Sequence, residues 1–520
     1  MLTGSRIIGL GLGITAIIVS SEFSYYNDTA KFLLINLSLL STALYCFTQN
    51  ISLSFSKDKK TILSLSLLFA CILIAAFFSK TGERVTGLAH IALASLLILN
   101  VVALSRQEGS VEFLKRFINI QAPINLTICS YLLFHILVFG TVTIPFFGNT
   151  NQAGNYVSIS TLLLYFFREN QTKRSKKMLL NAALLMSLIL LLLLKARAAS
   201  IGLIMAYLYA EVFSQKIWSY KQFIRSRFGI LITSLSLIGL FTIFYQKGIL
   251  SVKYRLLFWL NTLCLVKDYP FGGGPGSFIY LFQNYNGKCF PSAELSENLL
   301  VGNPHNMFIE FAAEIGILGA FLVGVLIYFI AKEVLKKTKA EPSTSRWILS
   351  SGILLLSISF FEFPQDVAYT FFYSCIVLGV AFSLIGKKII FSEKSRILNL
   401  ALAFVILSTF SIKALSDHLT LYSQGRKDRY LSACILDKEN WRGCALLGLT
   451  YIKNKDYKNA VLIIDKIAER FEGHHSLMRL RGALAEEQGN VSEACKQYKL
   501  FDSLYGGDSS KKSYIESNCH

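Results

Sequence analysis

The sequence predicts an all-α polytopic membrane protein with about thirteen transmembrane helices and a helical tail. The first observation is composition, since 53% of the 520 residues are hydrophobic. The second is that apolar runs of about 17–22 residues recur from the N-terminus to about residue 415. The third is a change to polar and charged composition after that point. We therefore predict a membrane domain over residues 1–415 and a helical domain over residues 416–520.

Each predicted span is long enough to cross a bilayer, because a helix rises about 1.5 Å per residue and the hydrocarbon core is about 30 Å thick. The first run lacks a clear small-residue cleavage site after it, so we predict a retained span rather than a removed signal. The runs are centred near Ile14, Leu39, Leu68, Leu93, Ser130, Leu162, Leu188, Met205, Leu235, Val323, Leu354, Val377 and Val405.

The net charge of +20 lies in alternate loops. Residues 168–177 and 332–346 are rich in Lys and Arg, whereas residues 141–154 and 363–367 contain neither. This is the positive-inside pattern, so the basic loops and the N-terminus are predicted to be cytoplasmic. The basicity reports topology, and it does not indicate a nucleic-acid partner.

Counting crossings from a cytoplasmic N-terminus places the remaining polar segments on the outer side of the membrane. These segments are residues 148–155, 195–197, 247–310, 362–366 and the tail. Six cysteines fall in the outer segments, where an oxidising compartment permits disulfides. We favour a Cys264–Cys289 pair and leave three pairings open for Cys434, Cys444, Cys495 and Cys519.

The most polar interruption of the apolar chain is the predicted outer loop, residues 247–310. It contains a glycine run from Gly272 to Gly276, whose backbone N–H groups could meet a phosphate because no side chain obstructs their approach. A plain loop is the alternative. Upstream, Arg255 and Trp259 share a face if their segment is helical.

The same loop ends in a second motif that begins Pro304-His305-Asn306. Pro304 is placed to start a helix, which would set His305 at the outer mouth of the next span. Glu310 follows on that helix, and it either contacts substrate, holds His305 or caps the helix.

Three further outer segments carry candidate binding groups. Carboxamides at Asn149, Asn151 and Gln152 form a dense array of donors and acceptors, with a simple turn as the alternative. Lys195 and Arg197 either clamp an anion or extend to the lipid headgroups. Glu362 is an ionisable residue at the membrane boundary and thus a functional candidate, with an exposed boundary residue as the alternative.

These motifs together resemble the bacterial O-antigen ligase and polymerase superfamily. The resemblance rests on Gly272-Gly-Gly-Pro-Gly-Ser-Phe278, on Pro304-His305-Asn306-x-Phe-x-Glu310-x-x-x-Glu314-x-Gly316-x-x-Gly319 and on Arg255-x-x-x-Trp259. The carboxamide turn and Glu362-Phe-Pro364 are similar to elements of its protein O-oligosaccharyltransferase branch, which glycosylates pilins. Ala196 precedes Arg197 where the superfamily often has serine.

The resemblance implies a glycosyltransferase-C-like membrane enzyme. Such an enzyme transfers a glycan from an undecaprenyl-diphosphate carrier to an acceptor hydroxyl at the periplasmic face, with no metal, nucleotide or other cofactor. We expect His305, Arg255 and Arg197 to be catalytic, His305 as general base and the arginines on the diphosphate. The expected substrate-binding residues are Asn149, Asn151, Gln152, Lys195, Trp259, Gly274, Gly276, Asn306, Glu310 and Glu362.

The acceptor stays open at this point. A pilin-like protein is favoured, while lipid A core (a ligase) and a growing O-unit (a polymerase) are close alternatives. A glycolipid transporter is a more distant one, although its ionisable groups would lie near the bilayer midplane rather than at one surface. An assembly scaffold would leave His305 dispensable.

The tail contains a repeat of 34 residues, the period of tetratricopeptide repeats. Gly448 is followed by Gly482, and Ala460 by Ala494, at this spacing. We therefore predict helical hairpins that pack against the membrane domain, because fewer than three repeats rarely fold alone.

Overall fold

The computed structural model describes residues 3–17, 28–51, 54–56, 59–79, 84–139, 150–214, 246–285, 289–290, 303–362, 367–385, 388–390, 393–421, 426–437, 440–471, 475–505 and 509–519. These residues form α-helices almost throughout, so the predicted all-α class is confirmed. A short antiparallel pair joins β1 (Ser54–Ser56) to β2 (Lys388–Ile390).

The helices follow the apolar periodicity of the sequence. In the first part of the chain they are α1 Gly4–Ile17, α2 Asp28–Thr48, α3 Lys59–Phe78, α4 Arg84–Glu108, α5 Ser110–Phe139, α6 Thr150–Glu169, α7 Arg174–Leu194, α8 Arg197–Ser214, α9 Gln246–Asp268, α10 Phe278–Leu281, α11 Met307–Lys337, α12 Pro342–Phe361, α13 Ala368–Leu384 and α14 Glu393–Leu421. The tail contains α15 Lys427–Leu436, α16 Trp441–Lys453, α17 Tyr457–Phe471, α18 His475–Glu487, α19 Val491–Tyr505 and α20 Ser509–Asn518.

Twelve of the predicted span centres lie within helices α1–α8 and α11–α14. The remaining one, Leu235, lies outside the described residues. Among the described helices, six are long and apolar enough to cross a membrane, and α2, α3 and α13 contain shorter apolar stretches. The six spans are Val85–Glu108, Ser110–Phe139, Arg174–Leu194, Met307–Lys337, Pro342–Phe361 and Lys394–Thr420. The chain is therefore a multi-pass membrane protein.

The chain divides into two compact units. Unit 1 comprises residues 1–65, 91–250 and 324–407, and unit 2 comprises residues 66–90, 251–323 and 408–520. Unit 2 therefore combines the tail with the predicted outer loop. The division at residue 415 stays a prediction.

In unit 1, α8 and α12 pack antiparallel. Gly202 near the start of α8 lies so close to the end of α12 that a Cβ there would be 2.8 Å from Ser357 Cβ. At the other end of the pair, the Tyr165 hydroxyl donates to Glu211, and Arg346 of α12 pairs with Glu169. The first turn of α8 and the last turn of α12 therefore lie at the same end of the unit.

In unit 2, the tail helices share a hydrophobic core with the loop helix α10. Tyr280 of α10 is almost fully buried among residues of α16, α17 and α18, including Leu447, Ile464 and Leu480. The tail therefore packs on the segment that follows the glycine run. This contact supports the prediction that the tail packs against the rest of the chain. The assignment of the tail as a tetratricopeptide module stays a prediction.

Replacing Tyr280 with alanine should release the tail from the loop. Removing a buried aromatic side chain from a packed core typically costs about 3–5 kcal/mol. We expect faster proteolytic removal of the tail from Tyr280→Ala than from the wild type, measured by limited proteolysis in detergent. Asn284→Ala, at an exposed position a turn away, is the control. Equal cleavage rates for Tyr280→Ala and wild type would contradict this contact.

Three disulfides lie within unit 2. Cys264 pairs with Cys289, as favoured from the sequence. In the tail, the pairs are Cys434–Cys444 and Cys495–Cys519, which selects one of the three pairings left open. Cys46, Cys71, Cys129 and Cys375 are free, and each lies in an apolar helix.

Candidate functional site

In unit 2, helix α9 holds the turn that carries His305. The Trp259 indole Nε1 donates a hydrogen bond to the carbonyl oxygen of Pro304 at 2.8 Å. Arg255 lies one helical turn before Trp259, so both side chains share the face of α9 that contacts this turn. The structure thereby brings Arg255, Trp259 and His305 to one place in unit 2. The indole anchors the turn, which is a structural use of Trp259 beside the binding role expected for it.

His305 is half-buried and has a left-handed backbone, with φ of 53°. This conformation is uncommon for a residue other than glycine, although asparagine, aspartate and histidine adopt it more often than the others. The His305 N–H donates to Asn303 Oδ1 at 3.3 Å. The backbone at His305 is therefore fixed by its neighbours, and left-handed backbone outside glycine is found in turns and in functional sites.

Asn306 caps helix α11 directly after His305. Its Oδ1 accepts hydrogen bonds from the N–H groups of Phe308 and Ile309, at 3.0 and 3.1 Å. This oxygen satisfies two donors that the first helical turn leaves unpaired. The carboxamide oxygen of Asn306 therefore serves as the N-cap of α11. This corrects the expectation that Asn306 binds substrate, as far as that oxygen is concerned. Glu310 follows in the same helix and is almost fully buried.

A second clamp fixes the loop to α9 through Asn261. The fully buried Asn261 Oδ1 accepts from the N–H groups of Cys289 and Phe290, at 3.3 and 3.2 Å. The Cys264–Cys289 disulfide reinforces the same junction less than one turn further along α9. These contacts keep the loop close to the helix that carries Arg255 and Trp259.

The glycine run packs onto a break in helix α11. Gly316 has φ of 80° and ψ of 166°, so the helical hydrogen bonds are interrupted there. The Gly273 N–H donates to Ala313 O at 2.8 Å, and the Gly274 N–H donates to Glu314 O at 2.9 Å. In return, the Ile317 N–H donates to Pro270 O. The N–H groups of the loop therefore donate to carbonyl oxygens of α11 that would accept hydrogen bonds within the helix if it were unbroken.

The carboxylate of Glu314 completes this junction. It accepts the Phe278 N–H at 3.3 Å and also the N–H of Gly276. The Gly272 N–H donates to Tyr269 O at 2.9 Å. The N–H groups from Gly272 to Gly274 and that of Gly276 are thus engaged within the protein. The expectation that the N–H groups of Gly274 and Gly276 bind a phosphate is therefore wrong, because they have protein acceptors.

Substituting Gly272 should disrupt this packing. A Cβ at Gly272 would lie 2.3 Å from Glu314 O, and its φ of 88° is left-handed. The backbone conformation alone costs about 1–2 kcal/mol for a residue with a side chain, and the clash adds to that. We expect Gly272→Ala to lower the unfolding temperature in detergent. Gly324→Ala, in the same helix α11 with open space around it, should be nearly neutral.

The loop is also closed by a buried phenol. The Tyr285 hydroxyl donates to Asp268 Oδ2 at 2.6 Å. Burial and this hydrogen bond raise the pKa of Tyr285, so the phenol stays protonated and continues to donate at neutral pH. The contact joins the end of α9 to the segment that follows α10.

In unit 1, the first turns of α6 and α8 lie against one another. A Cβ at Gly154 would be 2.0 Å from Ala196 Cβ, so only glycine permits this approach. Asn151 and Gln152 lie in the first turn of α6, and Arg197 is the first residue of α8. The structure thereby brings these three predicted residues to the same end of the unit. Asn149 lies outside the described residues.

This end of unit 1 carries both positive and negative groups, since Glu362 and the C-terminus of α12 lie there with the start of α8. Helix N-termini carry partial positive charge and unpaired N–H groups. The first turn of α13 lies against α6, because the rings of Tyr156 and Tyr369 are 4.6 Å apart. Arg197, half-buried at one of these termini, adds a full positive charge. We name Asn151, Gln152 and Arg197 the α6–α8 group.

Lys195 differs from Arg197 in its surroundings. It terminates α7 with a left-handed backbone, its N–H donates to Leu192 O, and its side chain is exposed. A helix end of this kind usually has glycine. The backbone of Lys195 therefore forms the junction between α7 and α8. Its predicted binding role stays a prediction.

Glu362 terminates α12 at the end of unit 1 that carries Arg197. Its N–H donates to Ile358 O at 2.8 Å, and the residue is almost fully buried. The alternative of an exposed boundary residue is therefore wrong. A buried carboxylate at this position must be stabilised by hydrogen bonds or by a cation.

Sequence reasoning missed three residues that shape unit 2. Asn261 stands alone in the apolar stretch between Trp259 and Cys264, which is a signal for a buried polar contact. Glu314 follows Glu310 at helical spacing, yet its partner is a backbone segment distant in sequence. Asn303 precedes Pro304 and has no pattern that would single it out. Among the described residues, no group of three His, Cys, Asp or Glu side chains could hold a metal.

The fold is that of a multi-pass membrane protein, with Asn151, Gln152 and Arg197 at one end of unit 1 and His305 in a fixed turn of unit 2. Residues 150–324 match the family model described as O-antigen ligase. The match begins at the first residue of α6, includes both arginines and His305, and supports a relation of this segment to the O-antigen ligase superfamily. That family implies glycan transfer from a lipid-linked substrate. A search of the curated proteins found no match to the chain.

Proposed function

We propose that this protein transfers an oligosaccharide from an undecaprenyl-diphosphate carrier to a serine or threonine hydroxyl of an acceptor protein. The reaction takes place at the periplasmic face of the inner membrane. The observation that supports it most is the convergence of three helix N-termini and Arg197 in unit 1, within a segment that matches O-antigen ligases. A diphosphate is the anionic part of such a carrier.

Arg197 and Arg255 stabilise the leaving group in this proposal. The bond between the sugar and the diphosphate breaks with a growth of negative charge on the bridging oxygen. A fixed cation contributes most where charge develops during the reaction, because its position needs no reorganisation. A guanidinium also donates two parallel hydrogen bonds to a phosphate.

His305 is the general base in this proposal. Its imidazole takes the proton from the acceptor hydroxyl as the hydroxyl oxygen attacks the anomeric carbon. The new glycosidic bond forms as the carbon–oxygen bond to the diphosphate breaks. Undecaprenyl diphosphate leaves, and the proton stays on His305 until solvent removes it. His305 is half-buried in the turn directly before α11, where part of the residue is exposed.

Asn151, Gln152 and Glu362 are proposed to bind the glycan. Carboxamides and carboxylates match the alternating donors and acceptors of sugar hydroxyls. Asn149 is proposed with them from the sequence alone. Glu310 is proposed to orient His305 from the first turns of α11. Lys195 at the edge of this region is the weakest member of the set, because its side chain is exposed.

The acceptor is tested with purified protein in nanodiscs. Undecaprenyl-diphosphate-linked glycan is offered with a pilin-like protein or with lipid A core, and the products are measured by intact-mass spectrometry. Glycan on the protein supports the proposal. Glycan on lipid A core alone would make the enzyme a ligase, and extension of the donor glycan would make it a polymerase. No transfer to any acceptor would overturn glycan transfer.

A further inference from the structure

The chain reverses direction after the last membrane helix, at the start of the tail. Helix α14 has no charged residue between Arg396 and Lys413. This apolar run spans about 24 Å, and Lys413 is the first charged residue after it. Helix α15 then returns along the end of α14, since the Ser416 hydroxyl donates to Ala433 O at 2.8 Å.

The end of α15 reaches the level of Lys413. The Lys413 Nζ lies 4.0 Å from Asp437 Oδ2, and both side chains are mostly buried. Asn440 fixes the arrangement, because its Nδ2 donates to the hydroxyls of Ser416 and Thr420 at 2.7 and 2.9 Å. The final turn of α15 therefore lies at the boundary of the apolar part of α14.

The outer face of α15 is apolar at this level. Leu431 and Ile435 are neighbours on one face at i, i+4 spacing, and their exposed fractions are 37% and 66%. Leu436 beside them is 41% exposed. On α14 the exposed side chains Ile412 and Leu415 lie at the same level. A contiguous exposed apolar face usually marks a binding surface rather than a solvated one.

We infer that the last turns of α15, which run back along α14, insert the exposed side chains Leu431, Ile435 and Leu436 into the lipid at the headgroup boundary. Three observations favour lipid over a protein partner. Exposed apolar side chains of α14 lie at the same level, and this level is that of Lys413. The start of α15 is also basic, since it carries Arg426, Lys427 and Arg429 against one acid, Asp428, which pairs with Arg426.

This contact would hold the tail at the membrane surface. The Cys434–Cys444 disulfide joins α15 to α16, and Lys427 lies over the ring of Tyr451 at 4.3 Å. The following hairpins extend from that junction. The inference depends on the multi-pass membrane fold, and it holds whether or not the proposed glycan transfer is correct.

Photocrosslinking in native membranes tests the occupant of this face. The full-length protein is made with benzoylphenylalanine in place of Ile435, and after irradiation the adducts are identified by mass spectrometry. The same probe replaces Phe404, an exposed side chain within the apolar run of α14, as the lipid-contact reference. The matched control is Leu462, an exposed apolar side chain on α17.

We expect phospholipid adducts at Ile435 in at least half the yield found at Phe404 and several-fold above the yield at Leu462. Crosslinks from Ile435 to a second copy or to another protein, without phospholipid adducts, would overturn the inference. A lipid yield at Ile435 equal to that at Leu462 would also overturn it. Because Ile435 is exposed, the probe should not prevent folding, which the Tyr280-dependent protease resistance of the tail verifies.

Discussion

His305→Asn should lower the rate of glycan transfer by about 10²–10⁴, the usual contribution of a positioned general base. Asparagine is the informative replacement because it tolerates the left-handed backbone that His305 adopts, with φ of 53°. The variant therefore keeps the turn before α11 and removes the imidazole. The rate is measured in nanodiscs with saturating lipid-linked glycan, and the unfolding temperature is measured beside it.

The matched control for His305 is His90→Ala. His90 packs on Phe410 with ring centroids 4.9 Å apart, and its Nδ1 lies 2.9 Å from Thr86 O. It is a packed histidine in the same unit, so its loss should reduce stability and leave the transfer rate within a few-fold. A His305→Asn protein that transfers glycan at the wild-type rate would remove the general base from the proposal. Glycan transfer itself would stand, and another group would have to take the proton from the acceptor hydroxyl.

Arg197→Ala should lower the rate by about 10²–10³, the range found when one donor to a developing oxyanion is removed. Arg197 begins α8, where the helix N-termini of unit 1 converge. Arg197→Lys should recover part of the loss, because lysine retains the charge and loses the paired hydrogen bonds. The loss should be mainly in kcat, since the charge on the leaving group grows in the transition state.

Lys195→Ala is the control for Arg197, two residues away. Its side chain is exposed and its backbone terminates α7, so we expect transfer within a few-fold of wild type. Lys195→Gly should be neutral or stabilising, because glycine suits the left-handed backbone at a helix end. If Arg197→Ala and Lys195→Ala have equally small effects, both cations only reach the lipid headgroups, and the anion site must lie elsewhere.

The membrane helices could be predicted from the sequence because length and hydropathy alone define a span. Described helices contain the span centres from Ile14 to Met205 and from Val323 to Val405. The helical face shared by Arg255 and Trp259 also follows from periodicity. The Cys264–Cys289 pair was favoured because both cysteines fall in one predicted outer loop.

The contacts of the glycine run could not be predicted, because they depend on a break in a helix about 40 residues further along the chain. The sequence indicates that the N–H groups can be approached closely, but it does not identify the partner. The break at Gly316 leaves carbonyl groups of α11 open to the run. For the same reason Glu314 was missed. Its role depends on Gly276 and Phe278, which periodicity cannot connect to it.

The three disulfides of unit 2 have a consequence for how the protein matures. The six disulfide-bonded cysteines pair consecutively along the chain, with sequence separations of 25, 10 and 24 residues, and in the proposed orientation they leave the membrane in that order. An oxidase that joins each cysteine to the next one to emerge would therefore produce the native bonds directly. Thiol–disulfide rearrangement, which is slow without catalysis, is not needed. Cells that retain the oxidase and lack a disulfide isomerase should accumulate this protein at normal levels.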